Sequence, residues 1–225
     1  LNRPAKGEQT RERILTTALA LFAEKGFQET TMRDIAGSVG CSLGLAYRYF
    51  ATKEAMALAL YEQLVAEFCA EVPGLPSGRV AERWFEAITR DLDRLSRHKG
   101  ALTGLISAGL TPGSKTQVLG AEALPMRQAM IQAYGELITE ASDAPRPDIV
   151  GALATILYGV HLLLVLLWLQ DRTAGQQATH RLIGCGRDLL GSLRLWLKLP
   201  GMSQMVSRVG DIVRSFVTGE ITADN

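Results

Sequence analysis

One short stretch of this 225-residue chain gathers the groups that bind a polyanion. Within twelve positions lie the hydroxyls of Ser42, Tyr47 and Tyr49 and the cation of Lys53. Such groups hold phosphate oxygens, while side chains near a helix N-terminus reach base edges. Ser42 also heads a helix, and the free amides of a helix start attract phosphate. The residues that catalysis needs are scarce by comparison. Three dispersed histidines leave few general bases, and no metal-spaced histidine pair, phosphate loop or nucleophile signature is present. The expectation is a protein without catalytic residues, metal or cofactor.

The surrounding pattern places that stretch on helices. No sustained alternation of β-branched residues suggests a sheet, so the fold class is all-α. A first helix is expected over 9–25, with Ile14, Leu15, Ala18, Leu21 and Phe22 on one stripe, Gly26 as its stop and Phe27 folding back. Thr31-Met32-Arg33-Asp34 has the spacing of a capping box and opens a short second helix that Gly40 closes. Ser42 caps a third, over 43–50, with Ala46 and Phe50 inward at i and i+4 and Leu43, Tyr47 and Arg48 outward. Two short helices across a glycine turn, ahead of a longer helix at 54–71, are the frame of a helix-turn-helix whose second helix enters the major groove.

These elements resemble the TetR family of bacterial transcriptional regulators. The likeness runs through 14–27, Thr31-Met32-Arg33-Asp34-Ile35-Ala36, Gly40-Cys41-Ser42-Leu43-Gly44-Leu45-Ala46-Tyr47-Arg48-Tyr49-Phe50 and Lys53-Glu54. It covers roughly the first quarter of the chain, and the ensemble is specific where no single element is. The resemblance implies that Thr31, Ser42, Tyr47, Tyr49 and Lys53 contact phosphates while Arg33, Leu43, Gly44, Leu45 and Arg48 face bases. Arg33 and Arg48 are the main specificity candidates, because an arginine pairs bidentately with guanine, and Leu45 suits a thymine methyl. Leu45 and Ala46 depart from the family's commonest pattern, so base preference does not transfer. Two alternatives stand beside these roles: Tyr49 as a packing aromatic, and Arg33 paired with Asp34 or Glu29.

Val72-Pro73-Gly74-Leu75-Pro76-Ser77-Gly78 is the clearest punctuation in the chain. The expected organisation is a DNA-binding domain at 1–53, a connecting helix at 54–71 and a helical effector-binding and dimerisation domain at 72–225. Further helices are expected at 79–97, 101–108, 124–141, 148–172, 175–199 and 202–217. The family likeness implies a ligand cavity in the larger domain. Apolar and aromatic candidates for its lining are Phe68, Trp84, Phe85, Ile88, Leu105, Met126, Met130, Tyr134 and Tyr158, each of which also reads as ordinary core. His161, alone among apolar neighbours, needs a partner in the protein or on a ligand.

The segment 149–169 is apolar enough to span a bilayer, but it lacks flanking lysine or arginine clusters and carries Gly151, Thr155, Gly159 and His161. The preferred reading is a helix buried by its own domain and by a second subunit; 148–172 and 175–199 look like a helical hairpin, and the resemblance implies that it pairs with its symmetry mate in a four-helix dimer interface. The expected partners are a double-stranded operator, a second copy of the chain and a small, largely apolar effector, with no membrane. Net charge is only +1, so any DNA affinity rests on the local cluster. Three unpaired-looking cysteines and a polar N-terminus suit the cytoplasm. The likeness implies a repressor released by its effector, or an activator of the same design.

Overall fold

A computed structural model describes residues 6–109, 121–197 and 201–218, and the regular structure among them is helical throughout. Helix α1 (Lys6–Lys25) buries Ile14, Leu15, Ala18, Leu21 and Phe22. Phe27 folds back edge-on to Phe22, with ring centroids 4.9 Å apart. Thr31 caps α2 (Met32–Val39): its hydroxyl accepts from the Asp34 amide at 3.2 Å, and the Asp34 carboxylate accepts from the Thr31 amide at 2.9 Å. Gly40 ends α2 at φ +75°, a left-handed conformation that costs glycine nothing and any β-carbon a clash. Two residues later the Ser42 hydroxyl accepts from the Leu45 amide and opens α3 (Leu43–Tyr49).

The chain continues through α4 (Lys53–Glu71), a 3-10 turn (Val72–Gly74), α5 (Val80–Ser96), α6 (Lys99–Gly109), a second 3-10 turn (Ala121–Ala123), α7 (Leu124–Thr139), α8 (Pro147–Gln170), a third (Ala174–Gln176), α9 (Gln177–Gly191), α10 (Leu193–Trp196) and α11 (Met202–Thr218). The helix expected over 175–199 is broken. Gly191 and Ser192 interrupt it, with the Ser192 amide turning back to the Leu189 carbonyl, and 198–200 lie outside the described residues.

Contacts divide the chain into two compact units, with cuts after Leu64, Arg94 and Ala123; the first and third stretches form one unit, the second and fourth the other. In the first unit α6 packs along α1. The break between α5 and α6 falls at Arg97 and His98, and Gly100 lies in the first turn of α6. Its role is close approach: a β-carbon there would stand 2.7 Å from the Ala23 β-carbon and 3.2 Å from its α-carbon.

In the second unit α8 lies between α7 and α11. The α8–α11 seam is tight, since a β-carbon on Gly210 would fall 2.8 Å from the Ala152 α-carbon and one on Gly159 would fall 2.8 Å from Val213. At least part of the small-residue stripe of α8 is therefore used within the protomer. By length and mean hydropathy (2.3) α8 passes the test for a membrane span, yet half of its most apolar window is buried inside the protein. Arg83, 4% exposed, joins α5 to the end of α7: Nε donates to the Leu137 carbonyl at 3.0 Å and Nη2 pairs with Glu140 at 2.7 Å. A cation at that end also suits the α7 dipole.

Gly100→Ala tests the α1–α6 seam. The added methyl meets backbone that cannot swing aside, and overpacking of this kind costs about 1–3 kcal/mol. A melting temperature several degrees below the parent's is expected in a circular dichroism melt; an unchanged one would contradict the close approach.

Candidate functional site

Ala46 (0% exposed) and Phe50 (3%) anchor α3, so its remaining side chains face outward. Ser42, Gly44, Tyr47 and Arg48 are exposed, and Leu43, Leu45 and Tyr49 are half-buried. Thr31 and Arg33 are exposed at the start of α2. Arg33 and Arg48 have no hydrogen-bond or ion-pair partner among the described residues; Arg33 makes no direct ion pair with Asp34 or Glu29, though its charge adds to the pull on the Asp34 carboxyl. The Thr31 hydroxyl donates to Asp34 at 2.6 Å, and with the Thr31 amide it holds the Asp34 carboxyl below its ordinary range. The face thus offers the guanidinium groups of Arg33 and Arg48, the hydroxyls of Thr31, Ser42, Tyr47 and Tyr49 and the amides of two helix starts.

Three other cations of the first unit meet groups of the chain itself. Arg13 donates to the Val39 carbonyl at 3.2 Å, and Arg11 stands 4.8 Å over the Phe50 ring. Lys53, for which the resemblance implies a phosphate contact, donates to the carbonyls of Phe27 (2.7 Å), Gln28 (2.9 Å) and Thr30 (3.3 Å).

In the second unit, Trp84, Ile88, Met130, Tyr134, Tyr158 and His161 are buried, Phe85 and Met126 are half-buried, and the Arg187 guanidinium lies 5.0 Å from the Phe85 ring centroid. Leu105 sits on α6 in the first unit, with its side chain outside the described residues. His161 finds its partners within the protein. Nδ1 is 2.8 Å from the Tyr134 hydroxyl and Nε2 is 3.4 Å from Asp91 Oδ2, while the Phe68 ring meets the imidazole edge-on at 5.6 Å. Asp91 in turn pairs with Arg94 at 3.0 Å, and Arg94 reaches Glu67 at 3.7 Å and also binds Glu71. A tautomer with the proton on Nε2 satisfies the whole line: Tyr134 donates to Nδ1 and Nε2–H faces the carboxylate. Asp91, Arg94, Glu67 and Glu71 carried no sequence prediction. The available signal was a carboxylate in the stripe Trp84, Ile88, Asp91, Leu95, whose spacings of four, three and four place it on the buried face of α5. Trp84 Nε1, on the same stripe, is a buried donor with no partner among the described residues.

Burial sets the protonation of this line. It pushes the Asp91 carboxyl up to about 7, against the pull of Arg94 and with some help from Glu71 and Glu67. Burial and the charge of Arg94 hold His161 down at about 4. The two shifts act oppositely on stability. Asp91 rises from 3.8, so its contribution is full at low pH and is lost as pH climbs towards 7; His161 falls from 6.5, so its contribution is full above that value and is lost as pH drops through about 4. Asp91→Asn removes the first and leaves the second. Its melting temperature is expected to fall more steeply than the parent's on acidification from pH 7 to pH 5; parallel curves would show that the pair does not titrate this way.

Residues 14–60 match the family profile described as bacterial regulatory proteins, tetR family. The chain is 28% identical over 147 residues to the HTH-type transcriptional repressor KstR2 of Mycolicibacterium smegmatis, covering 65% of this chain and 58% of that one. It is 28% identical over 141 residues to the uncharacterised HTH-type transcriptional regulator YerO of Bacillus subtilis, covering 57% and 48%. The chain thus spans only about half the length of these relatives. Over 88 residues it is 39% identical to the HTH-type transcriptional dual regulator CecR of Shigella flexneri, 38% of each chain. Among solved structures, a TetR-family transcriptional regulator from Streptomyces coelicolor superposes with TM-score 0.60 at 22% identity, covering 90% of this chain and 88% of that one. A TetR-family regulator from Syntrophomonas wolfei gives 0.64 at 18%, covering 87% and 100%. These likenesses establish the fold, and the match at 14–60 shows that the helix-turn-helix described above is similar to that of the bacterial regulatory proteins of the tetR family.

Proposed function

We propose that this chain is a transcriptional regulator that binds a two-fold operator in duplex DNA as a homodimer and is released from it by a small, largely apolar effector. The observation that carries the reading is the pair of exposed guanidinium groups, Arg33 and Arg48, unpartnered among the described residues on a helix-turn-helix whose other face is buried. Arg33, Arg48, Leu43, Gly44 and Leu45 face bases, and Thr31, Ser42, Tyr47 and Tyr49 face phosphates. Repression is favoured over activation by the likeness to KstR2, whose name states that role. Such a regulator works in the cytoplasm.

Dimerisation is supported by apolar surface left open on the second unit. Met205, Val209, Ile212 and Phe216 follow one another at spacings of four, three and four on α11, all exposed, and Leu163 and Leu167 of α8 and Leu182 and Leu189 of α9 are exposed as well. A second copy that covers this surface brings two reading heads to half-sites about one DNA turn apart (~34 Å). The effector reading rests on the buried aromatic group around Tyr134 and Tyr158 and on Trp84 Nε1, which lacks an acceptor. An apolar molecule with one acceptor atom suits that lining. Effector binding shifts the dimer away from the arrangement that fits the operator, with a coupling of about 1–3 kcal/mol.

Selection of bound duplexes from a random library tests the DNA role. The parent is expected to enrich a palindrome, and Arg33→Ala and Arg48→Ala to relax separate guanine positions by about 5- to 150-fold; no enrichment from a folded parent would overturn the reading. For the dimer, Ile212→Asp combined with Phe216→Asp is expected to sediment as a folded monomer where the parent sediments as a dimer. A variant that stays dimeric would move the interface elsewhere.

A further inference from the structure

We infer that Trp84 is the group that ligates the effector, donating its indole N–H to the carbonyl oxygen of an uncharged, largely apolar molecule, and that its ring passes the event to α9; the inference rests on the effector role proposed for the second unit. Trp84 lies in the buried stripe of α5 and is 1% exposed. An indole has one N–H donor and no acceptor, and a buried one ordinarily finds a partner. Trp84 Nε1 has none among the described residues. Arg127 has partners of its own, yet its Nε, also buried, lacks an acceptor as well. No buried side-chain acceptor is left unmet among the described residues, so what this interior lacks is acceptors.

Charge narrows the class further. Arg83, next to Trp84 in the chain, holds Glu140 and the Leu137 carbonyl, Arg94 holds Asp91, Glu67 and Glu71, and Arg187 pairs with Asp188. Burial already pushes the Asp91 carboxyl, on the same stripe, up to about 7, so this interior resists a further anion. A ketone, ester or lactone oxygen accepts the indole proton with no charge to desolvate. The far edge of the same ring lies against α9. A β-carbon on Gly186 would stand 2.6 Å from Trp84 Cη2 and 2.9 Å from Cζ3, so the six-membered ring takes the space of a side chain. Gly186 shares a stripe of α9 with the buried Thr179 and Ile183, and the exposed Leu182 and Leu189 of that helix belong to the surface proposed for the second copy. The seam is held on either side, by Arg187 over the Phe85 ring and by Arg79 Nη2, which donates to the Gly191 carbonyl at 3.0 Å. The indole therefore cannot turn towards a ligand without moving its edge against α9.

The test follows the Trp84 indole proton of the full chain by NMR, with isotope-labelled tryptophan and with Trp168→Phe and Trp196→Phe to assign it. The probes are cyclohexanone, cyclohexanecarboxylate, cyclohexylammonium and methylcyclohexane. Cyclohexanone is expected to move the resonance downfield and saturably, as a new hydrogen bond does, and methylcyclohexane is not. Trp84→Phe is expected to weaken cyclohexanone binding about three- to tenfold, the worth of one such bond. Gly186→Ala, whose methyl displaces the ring, is expected to weaken binding to the duplex that the parent selects by about fivefold or more with no ligand present. A stronger response to the carboxylate or the ammonium would overturn the uncharged class, and no saturable response to any probe from the folded protein would overturn the site. A Gly186→Ala variant that melts lower but keeps the parent's duplex affinity below its melting temperature would overturn the link to α9. Should either variant fail to fold, the parent decides alone: a Gly186 amide shift that tracks the indole on adding cyclohexanone supports the link, and an unmoved amide overturns it. A parent that selects no duplex sinks the DNA role itself. The two failures are distinct, since the indole response needs no DNA.

Discussion

A seven-residue helix does not hold its shape alone in water, because too few hydrogen bonds form to offset nucleation. Helix α3 (Leu43–Tyr49) therefore exists only through what it buries and what caps it. Ala46 and Phe50 lock it to the first unit, Ser42 satisfies an amide at its start, and the Arg11 guanidinium covers the Phe50 ring. Once Ala46 and Phe50 point inward, helical geometry leaves Gly44, Tyr47 and Arg48 no direction but outward. Folding and the outward display of these residues are thus one constraint seen from two sides. The capping box of α2 acts in the same way for Arg33.

The second unit answers a different problem, that of a carboxylate and an imidazole enclosed among apolar helices. Neither could stay unpartnered without a large desolvation cost. The solution is a line from Glu67 and Glu71 on α4 through Arg94 and Asp91 on α5 to His161 on α8 and Tyr134 on α7. Every member is satisfied by the next, which favours one arrangement of four helices over near alternatives.

The parts legible in the sequence are those that local chemistry decides. Thr31 with Asp34, Gly40 and Ser42 are capping signals that act within three or four residues, so the limits of α2 and the start of α3 follow from them directly. The inward face of α1 and the pair Ala46 and Phe50 follow from helical period. What escaped the sequence depends on partners far along the chain. The carbonyls that Lys53 meets lie 23 to 26 residues away, and nothing beside it in the chain announces them. His161 signalled a need for a partner but not its identity, since Asp91 is brought to it only by the packing of α5 and α8. Gly100 and Gly210 carry no local signal of close approach, because only packing brings Ala23 and Ala152 against them.

The central claim is that one face of the first unit, formed by α3 and the start of α2, meets duplex DNA. Amide hydrogen exchange of the intact protein, followed peptide by peptide with and without a saturating duplex at low salt, tests it most directly. The account predicts added protection over residues 31–34 and 42–49, with the peptides of α7 and α8 unchanged. Protection confined to the second unit, or none at all under conditions where the duplex is bound, would contradict it.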